Sequence, residues 1–374
     1  MKFISISEIS VSDWDGLCSQ SEQGWIFHSR GWIEIEAAQS RSENRSFGIV
    51  SGGRLVAAVP LFISNLGLNA FVELLVHNGL HRHTGLVLAP DLTSSEVKEI
   101  QGRVLRNILD IARGANADRI YLGEQNLSRE NLSPARREIP FWVTDFGFQL
   151  GNSFGPLGLA PGPGLASTVV DQIVVLAEPE DKLFSALTKS CRYTVRAAQD
   201  AGFQTVDLTS SDDCISEYYR LATLSAQRTG ESLPNASYFE EIRNLLLPRQ
   251  MCSFLFATFN GERVAAAILL HDKRSAYYFA GVSDPAHLPN GVNDFLQWRA
   301  IGFLKSLGNS HYRLGPYFPS LPSDWSVSKV TRFKSKFGAQ PFSIVQGSKF
   351  LKPQRYARLA QDYIANLCLE LTEK

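Results

Sequence analysis

A nine-residue pattern occurs twice in this chain. Gly53-Arg54-Leu55-Val56-Ala57-Ala58-Val59-Pro60-Leu61 and Gly261-Glu262-Arg263-Val264-Ala265-Ala266-Ala267-Ile268-Leu269 share Gly-x-x-Val-Ala-Ala-x-x-Leu, at an offset of 208 positions from Gly53 to Gly261. Each copy follows an apolar run, Phe47 to Val50 in the first and Phe254 to Ala257 in the second. Strand, glycine turn and strand predict a β-hairpin. A second echo follows each hairpin. Ile111 to Gly123 and Phe303 to Gly315 both read as helix end, turn and strand, at an offset of 192 from Gly123 to Gly315. Two matches in the same order point to a duplicated unit, and such a repeat constrains the fold more than any single motif.

The helices agree. Thr93-x-x-Glu96 forms a capping box, after which Val97, Ile100, Val104, Ile108 and Ile111 recur at helical spacing. In the second copy Leu296, Ala300, Phe303 and Leu307 make the stripe, and Gly308 ends it. The Gly/Pro-rich stretch from Phe154 to Gly164 reads as a loop near the boundary. The organisation expected is therefore an N-terminal domain over 1–165, a C-terminal domain over 166–348 and a final helix within 349–374. Helices flanking mostly antiparallel sheets make the class α+β, doubled. Within the second domain one helix is expected over 180–200 and a three-stranded meander over 253–280.

Length and charge narrow the function. The 374 residues suffice for two domains with their own cores. Lys plus Arg and Asp plus Glu are 37 each, which argues against coating nucleic acid by bulk charge, so no DNA partner is expected. Five cysteines, without a Cys-x-x-Cys, read as reduced thiols. The N-terminus alternates like a strand and lacks a signal-peptide core, and no apolar run approaches the roughly 18–20 residues of a transmembrane helix. A cytoplasmic protein is expected, at most peripheral to a membrane face.

Three groups of residues carry chemistry. Eight basic residues (Lys329, Arg332, Lys334, Lys336, Lys349, Lys352, Arg355 and Arg358) lie between Trp325 and Gln361, with no acid among them. They read either as a phosphate or carboxylate site or as a solvated face balanced by distant acids. Lys189, Arg192 and Arg196 share one helical stripe, where three cations repel unless an anion joins them; on spacing alone an ordinary basic surface face is the favoured reading. Cys191 among them has basic neighbours that lower a thiol pKa. His77, His81 and His83 cluster, but no carboxylate or thiol ligand is near in sequence, so a substrate-lining or surface loop is the reading taken and no metal is expected. Phosphate-binding and nucleophile-elbow motifs are absent from the sequence.

Several stretches resemble the FemABX-type proteins. These are Lys189-x-x-Arg192-x-x-x-Arg196-Ala197 continuing to Gly202, Asn260 to Ala266, Tyr277-Tyr278-Phe279-Ala280-Gly281 and Phe333-Lys334-Ser335-Lys336-Phe337-Gly338, which is similar to that family's Phe-Lys-x-x-Phe-Gly signature. In the first half, Trp14, Phe27 to Trp32 and the hairpin ending Pro60-Leu61 also look like that family. The resemblance runs over roughly 10–345 and is nearest to the acetyltransferase-like branch called BioF2-like. It implies tandem GNAT-like domains and acyl transfer to an amine or hydroxyl, with a small-molecule or glycan-precursor acceptor. The donor it implies is aminoacyl-tRNA or acyl-CoA, with no resident cofactor. It casts Lys334 as the cation for the developing oxyanion and Asp294 as a candidate base, with Lys189, Arg192, Arg196, Tyr278, Arg332, Lys336, His81 and His83 on the substrate. Two departures stand out. Tyr312-Arg313-Leu314-Gly315 replaces the family's Tyr-Asp-Phe-Gly, and His287 to Asp294 lacks the glycine loop that cradles a coenzyme A pyrophosphate. These motivate a further reading, a non-catalytic binding subunit of a polysaccharide-synthesis system.

Overall fold

The computed structural model describes residues 1–68, 71–79, 84–124, 141–144, 147–150, 169–317 and 326–357. The chain forms two units, Met1–Val169 together with Ser343–Lys374, and Val170–Phe342. This corrects the expected boundaries. The second unit ends at Phe342 rather than near 348, and the C-terminal segment is part of the first unit rather than a separate piece. The Phe154 to Gly164 loop and most of the expected final helix lie outside the described residues; helix is seen over 353–357.

In the first unit one sheet has the order β1 (Lys2–Ser5), β3 (Phe47–Ser51), β4 (Arg54–Val59), β7 (Val87–Leu88). Around β2 (Glu43–Asn44), β5 (Phe62–Leu68), β6 (Phe71–His77) and β8 (Arg119–Glu124) a second set forms, in which β5 pairs with β2 and β6, and β6 with β8. Helices α1 (Val11–Gln20), α2 (Arg30–Gln39) and α3 (Ser94–Gly114) accompany them. The Thr93–Glu96 capping box is present, and Ile100, Val104, Ile108 and Ala112 bury the inner stripe of α3. Their core includes Trp14, Ile33, Ile49, Ala57, Val87 and Ile120. Burying such side chains contributes roughly 1.5–3 kcal/mol each.

The reason the C-terminal segment joins this unit is polar. Residues Val345 to Phe350 pair antiparallel with β8. The buried Glu73 carboxylate receives Arg119 Nε at 3.0 Å and Tyr356 Oη at 2.7 Å, while Arg119 also donates to Ser348 Oγ at 3.1 Å. Asp118 takes Lys352 Nζ at 3.1 Å and Arg355. Part of the basic run is thus neutralised by acids more than 200 positions away.

In the first unit β9 (Phe148–Leu150) pairs antiparallel with Gly347 to Lys349. The second unit is built on β10 (Val169–Val175), β11 (Gln204–Asp207), β12 (Cys252–Phe259), β13 (Glu262–His271), β14 (Ser275–Ser283) and β15 (His311–Tyr317). Their order is β11-β12-β13-β14-β15-β10. The expected helix over 180–200 is two helices, α4 (Glu180–Ala186) and α5 (Lys189–Asp200). Thr188 breaks them, its extended backbone letting the side chain cap Cys191 N–H. Then come α6 (Cys214–Thr229), α7 (Ala236–Leu246), α8 (Val292–Ser306) and α9 (Ser326–Lys334), and finally β16 (Gln340–Phe350). Helix α8 packs Val292, Phe295, Leu296, Ala300 and Leu304 into a core with Val195, Leu255 and Ala267.

The duplication holds at single-residue resolution. In the β3–β4 pair the register skips Val56; in β12–β13 it skips Val264, the same bulge at the same 208-position offset. Each unit then runs strand, long helix and parallel strand. Leu75, Val76 and His77 pair with Arg119, Ile120 and Tyr121; Ser275, Ala276 and Tyr277 pair with His311, Tyr312 and Arg313. Three residue pairs are made in each case, after which the parallel strands part.

Candidate active site

The parting of two parallel strands is the feature that builds a site. Beyond Tyr277 and Arg313, β14 stays with β13 while β15 turns to β10. Bulges lie on both arms of this fork. The β13–β14 register skips Phe279, and the β10–β15 register skips Leu314. Bulges expose backbone groups and re-aim side chains beside active sites.

Gly315 sits at the fork with φ +89°, a conformation that favours glycine. A Cβ there would lie 3.0 Å from Lys334 Nζ and 3.4 Å from Tyr277 Oη. The missing side chain thus lets a largely buried ammonium and a phenol meet at one backbone position. Opposite Gly315 on β10 stands Gln172, whose Nε2 donates to Ser335 Oγ at 3.0 Å. Below the fork, buried Asp171 pairs with Arg313 Nε, and the Arg313 guanidinium lies 5.3 Å from the Tyr277 ring centroid. The arginine that replaces the family's aspartate therefore brings a carboxylate with it, on a different strand.

The first unit has the same fork, closed. Gly123 is the counterpart of Gly315, and Asn78 follows His77 at its mouth. Asn78 Nδ2 donates to Gly123 O at 2.6 Å, and Gly123 N–H donates to Asn78 Oδ1 at 3.0 Å. One amide side chain occupies both backbone groups. His77, for its part, accepts Gly79 N–H at Nδ1 and meets Ser64 Oγ at Nε2. With Nδ1 accepting, Nε2 of the neutral ring carries the proton, so His77 is not a base for Ser64.

The other sequence-derived residues divide. Lys334 is at the fork. Asp294 is not a free base: both its oxygens hold Lys336 Nζ at 3.0 Å in the first turn of α8, an arrangement that suits a helix N-terminus. Arg192 donates to Ser185 O and Leu187 O, closing the end of α4. Arg196 stacks on Phe184 at 5.1 Å, and Lys189 is exposed at the start of α5. Arg332 is exposed on α9. Tyr278 turns toward α8: Gln297 hydrogen-bonds it, and burial pushes its phenol up to about 12. Its neighbour Tyr277, which sequence reasoning did not single out, faces the fork. Cys191 is buried, and burial raises its thiol to about 12, so the basic neighbours do not activate it. His81 and His83 lie outside the described residues. Among the described residues no cluster of metal ligands occurs and no helix is long and apolar enough to cross a membrane.

Residues 185–326 match the family model for the acetyltransferase (GNAT) domain. Over these residues the chain is similar to a GNAT domain. The crystal structure of FemX is similar over 96% of this chain and 99% of its own, with a TM-score of 0.70 at 14% identity. A conserved protein of unknown function from Bacteroides thetaiotaomicron gives 0.58 at 10% identity, over 93% of this chain and 99% of its own. L-PGS from Bacillus licheniformis gives 0.50 at 14% identity, over 89% and 96%. No curated protein matches the sequence. Together with the internal repeat, the fold is two GNAT-like units in tandem; Tyr277, Arg313 and Gly315 lie within the matched residues, while Gln172 and Lys334 flank them.

Proposed function

We propose that this GNAT-domain protein is an acyltransferase that moves an acyl or aminoacyl group onto an amine or hydroxyl of a cell-envelope or polysaccharide precursor. The observation that carries the reading is the meeting of Lys334 Nζ and Tyr277 Oη at Gly315. Acyl transfer passes through a tetrahedral oxyanion, and fixed donors in a water-poor site stabilise it without reorganising. The end-to-end likeness to FemX and the likeness to L-PGS support an envelope precursor as acceptor.

The geometry at α8 favours aminoacyl-tRNA over acyl-CoA as donor. A helix N-terminus that binds a pyrophosphate needs its N–H groups and dipole free. Here no side chain caps the N–H groups, but the first turn of α8 carries the Asp294 carboxylate, paired with Lys336, whose negative charge opposes a second anion at the dipole. Next to it, a Cβ on Gly291 would overlap Thr194 Cγ2, so α5 packs tightly against that end.

The test combines binding and turnover. Bulk aminoacyl-tRNA is expected to raise the melting temperature and acetyl-CoA to leave it unchanged. Lys334→Ala is expected to lower acyl transfer about a hundred- to a thousandfold. A thermal shift with acetyl-CoA would overturn the donor assignment. Unchanged turnover in Lys334→Ala would overturn the site.

A further inference from the structure

The second unit carries a cleft that the fork does not use. It measures about 430 Å³ and lies where β11, at the end of the strand order, meets the C-terminal half of α8 and the start of α4. Trp298, Gly302, Phe303 and Ser306 line it from α8, at the spacing of one helical face. Thr205 and Asp207 line it from β11, two positions apart and so on one side of the strand. A Cβ on Gly302 would meet nothing within 4 Å, so the cleft reaches the helix backbone.

Its floor is apolar and its ends are charged. Trp298 is 6% exposed and Leu255, which also lines the cleft, 3%. The Trp298 indole N–H donates to no described residue and is not sealed in the core, so it opens to the cleft. Buried tryptophans normally give this N–H a partner, and here one has to come from outside. Beside it, Arg299 Nε donates to Thr205 Oγ1 at 3.3 Å, which holds the guanidinium at that end. Asp207 accepts Thr209 N–H at 2.9 Å through Oδ1, while its Oδ2 takes no described donor. Glu180 marks the far end. Lys305 Nζ holds Leu176 O and Glu178 O, both at 2.8 Å, which brings the start of α4 to the end of α8. From Arg299 to Ser306 the helix rises about 10 Å.

We infer that this cleft binds a free dibasic α-amino acid of about the length of lysine. The ligand carboxylate meets Arg299 and the Trp298 N–H, its α-ammonium meets Asp207, and its side-chain cation reaches Glu180. The aliphatic stem lies along Trp298 and Phe303, where its apolar surface leaves water. Two cations and one carboxylate complement two carboxylates and one guanidinium. A neutral amino acid would leave Glu180 unmet, and a diamine would leave Arg299 unmet. The site shares no residue with the fork and does not rest on the acyl-transfer reading.

Isothermal titration calorimetry of the full chain tests this with three probes: lysine, norleucine, which lacks the terminal ammonium, and cadaverine, which lacks the carboxylate. Lysine is expected to bind at least tenfold more tightly than either. Glu180→Gln should erase the advantage over norleucine, and Arg299→Gln the advantage over cadaverine; both residues are exposed, so the fold tolerates either change. Gly302→Phe fills the cleft from the helix and should abolish binding, while Gly302→Ala should keep it. The melting temperature of both glycine variants should stay at or above that of the wild type, since glycine is the weaker helix former. Absence of lysine binding to the wild type, equal binding of the three probes, or undiminished lysine binding in Gly302→Phe overturns the inference. None of these outcomes bears on acyl transfer at the fork, which Lys334→Ala tests.

Discussion

Arg119→Met is expected to cost about 3–5 kcal/mol of stability, because it leaves the Glu73 carboxylate buried without its cation. Both side chains are almost fully inaccessible, and the arginine also holds Ser348. Glu73→Leu alone should cost a similar amount by stranding the guanidinium. The double replacement Glu73→Leu/Arg119→Met should cost clearly less than either single change, since apolar groups of similar volume remove both desolvation penalties together. Urea denaturation of the three variants measures this. Single changes worth under about 1 kcal/mol would show that the pair is solvated in the folded chain. Tyr356 offers a local readout. Burial and the Glu73 carboxylate push its phenol up, so Glu73→Leu should bring its titration back toward the ordinary range.

Acid is expected to remove stability from both units between about pH 6.5 and pH 4. His28 in the first and His271 in the second are buried, and burial lowers each ring to about 4. The unfolded chain binds these protons near pH 6.5. Within the window the unfolded state therefore holds more protons than the folded one, and stability falls as pH drops. Above pH 6.5 the full contribution is present; below about pH 4 the loss levels off. The width of the window corresponds to on the order of 3 kcal/mol for each histidine. His271→Gln retains a donor and an acceptor for Ser253, which lies 3.0 Å from Nε2. It should remove the acid sensitivity that belongs to the second unit while leaving that of His28. Denaturant midpoints recorded from pH 8 to pH 4 test this, and a wild-type midpoint flat across the window would contradict it.

The repeat was legible because its signals are local. A glycine turn, an alternating apolar pattern and a capping box each declare themselves within a few residues, and even the bulges fall at matching positions, Val56 and Val264. Lys334 was legible through its motif. Tyr277, Gln172 and Asp171 were not, because their roles depend on which strands become neighbours. Gln172 and Gly315 are 143 positions apart and meet only through the β10–β15 register. Tyr278 shows how sharp this limit is: adjacent strand residues face opposite ways, so a one-residue misassignment exchanges the fork for the α8 packing. The cationic stripe misled for a related reason. Spacing places Arg192 and Arg196 on one face, but spacing does not reveal that α4 ends beneath Arg192 and needs its carbonyls capped. Nor does a run of basic residues reveal Asp118, which takes Lys352 and Arg355.

The first unit closes only with the last stretch of chain, and this has a consequence for its birth on the ribosome. Synthesis at about 5–20 residues per second finishes β8 well before residues 345–350 emerge. For something like 10–45 seconds, β8 has a hydrogen-bonding edge with no strand to cover it, and Glu73 and Arg119 await Tyr356 and Ser348. The second unit, contiguous from Val170 to Phe342, is complete earlier. The nascent chain therefore completes its second unit before its first, and removal of residues 345–356 should harm the half that was synthesised first.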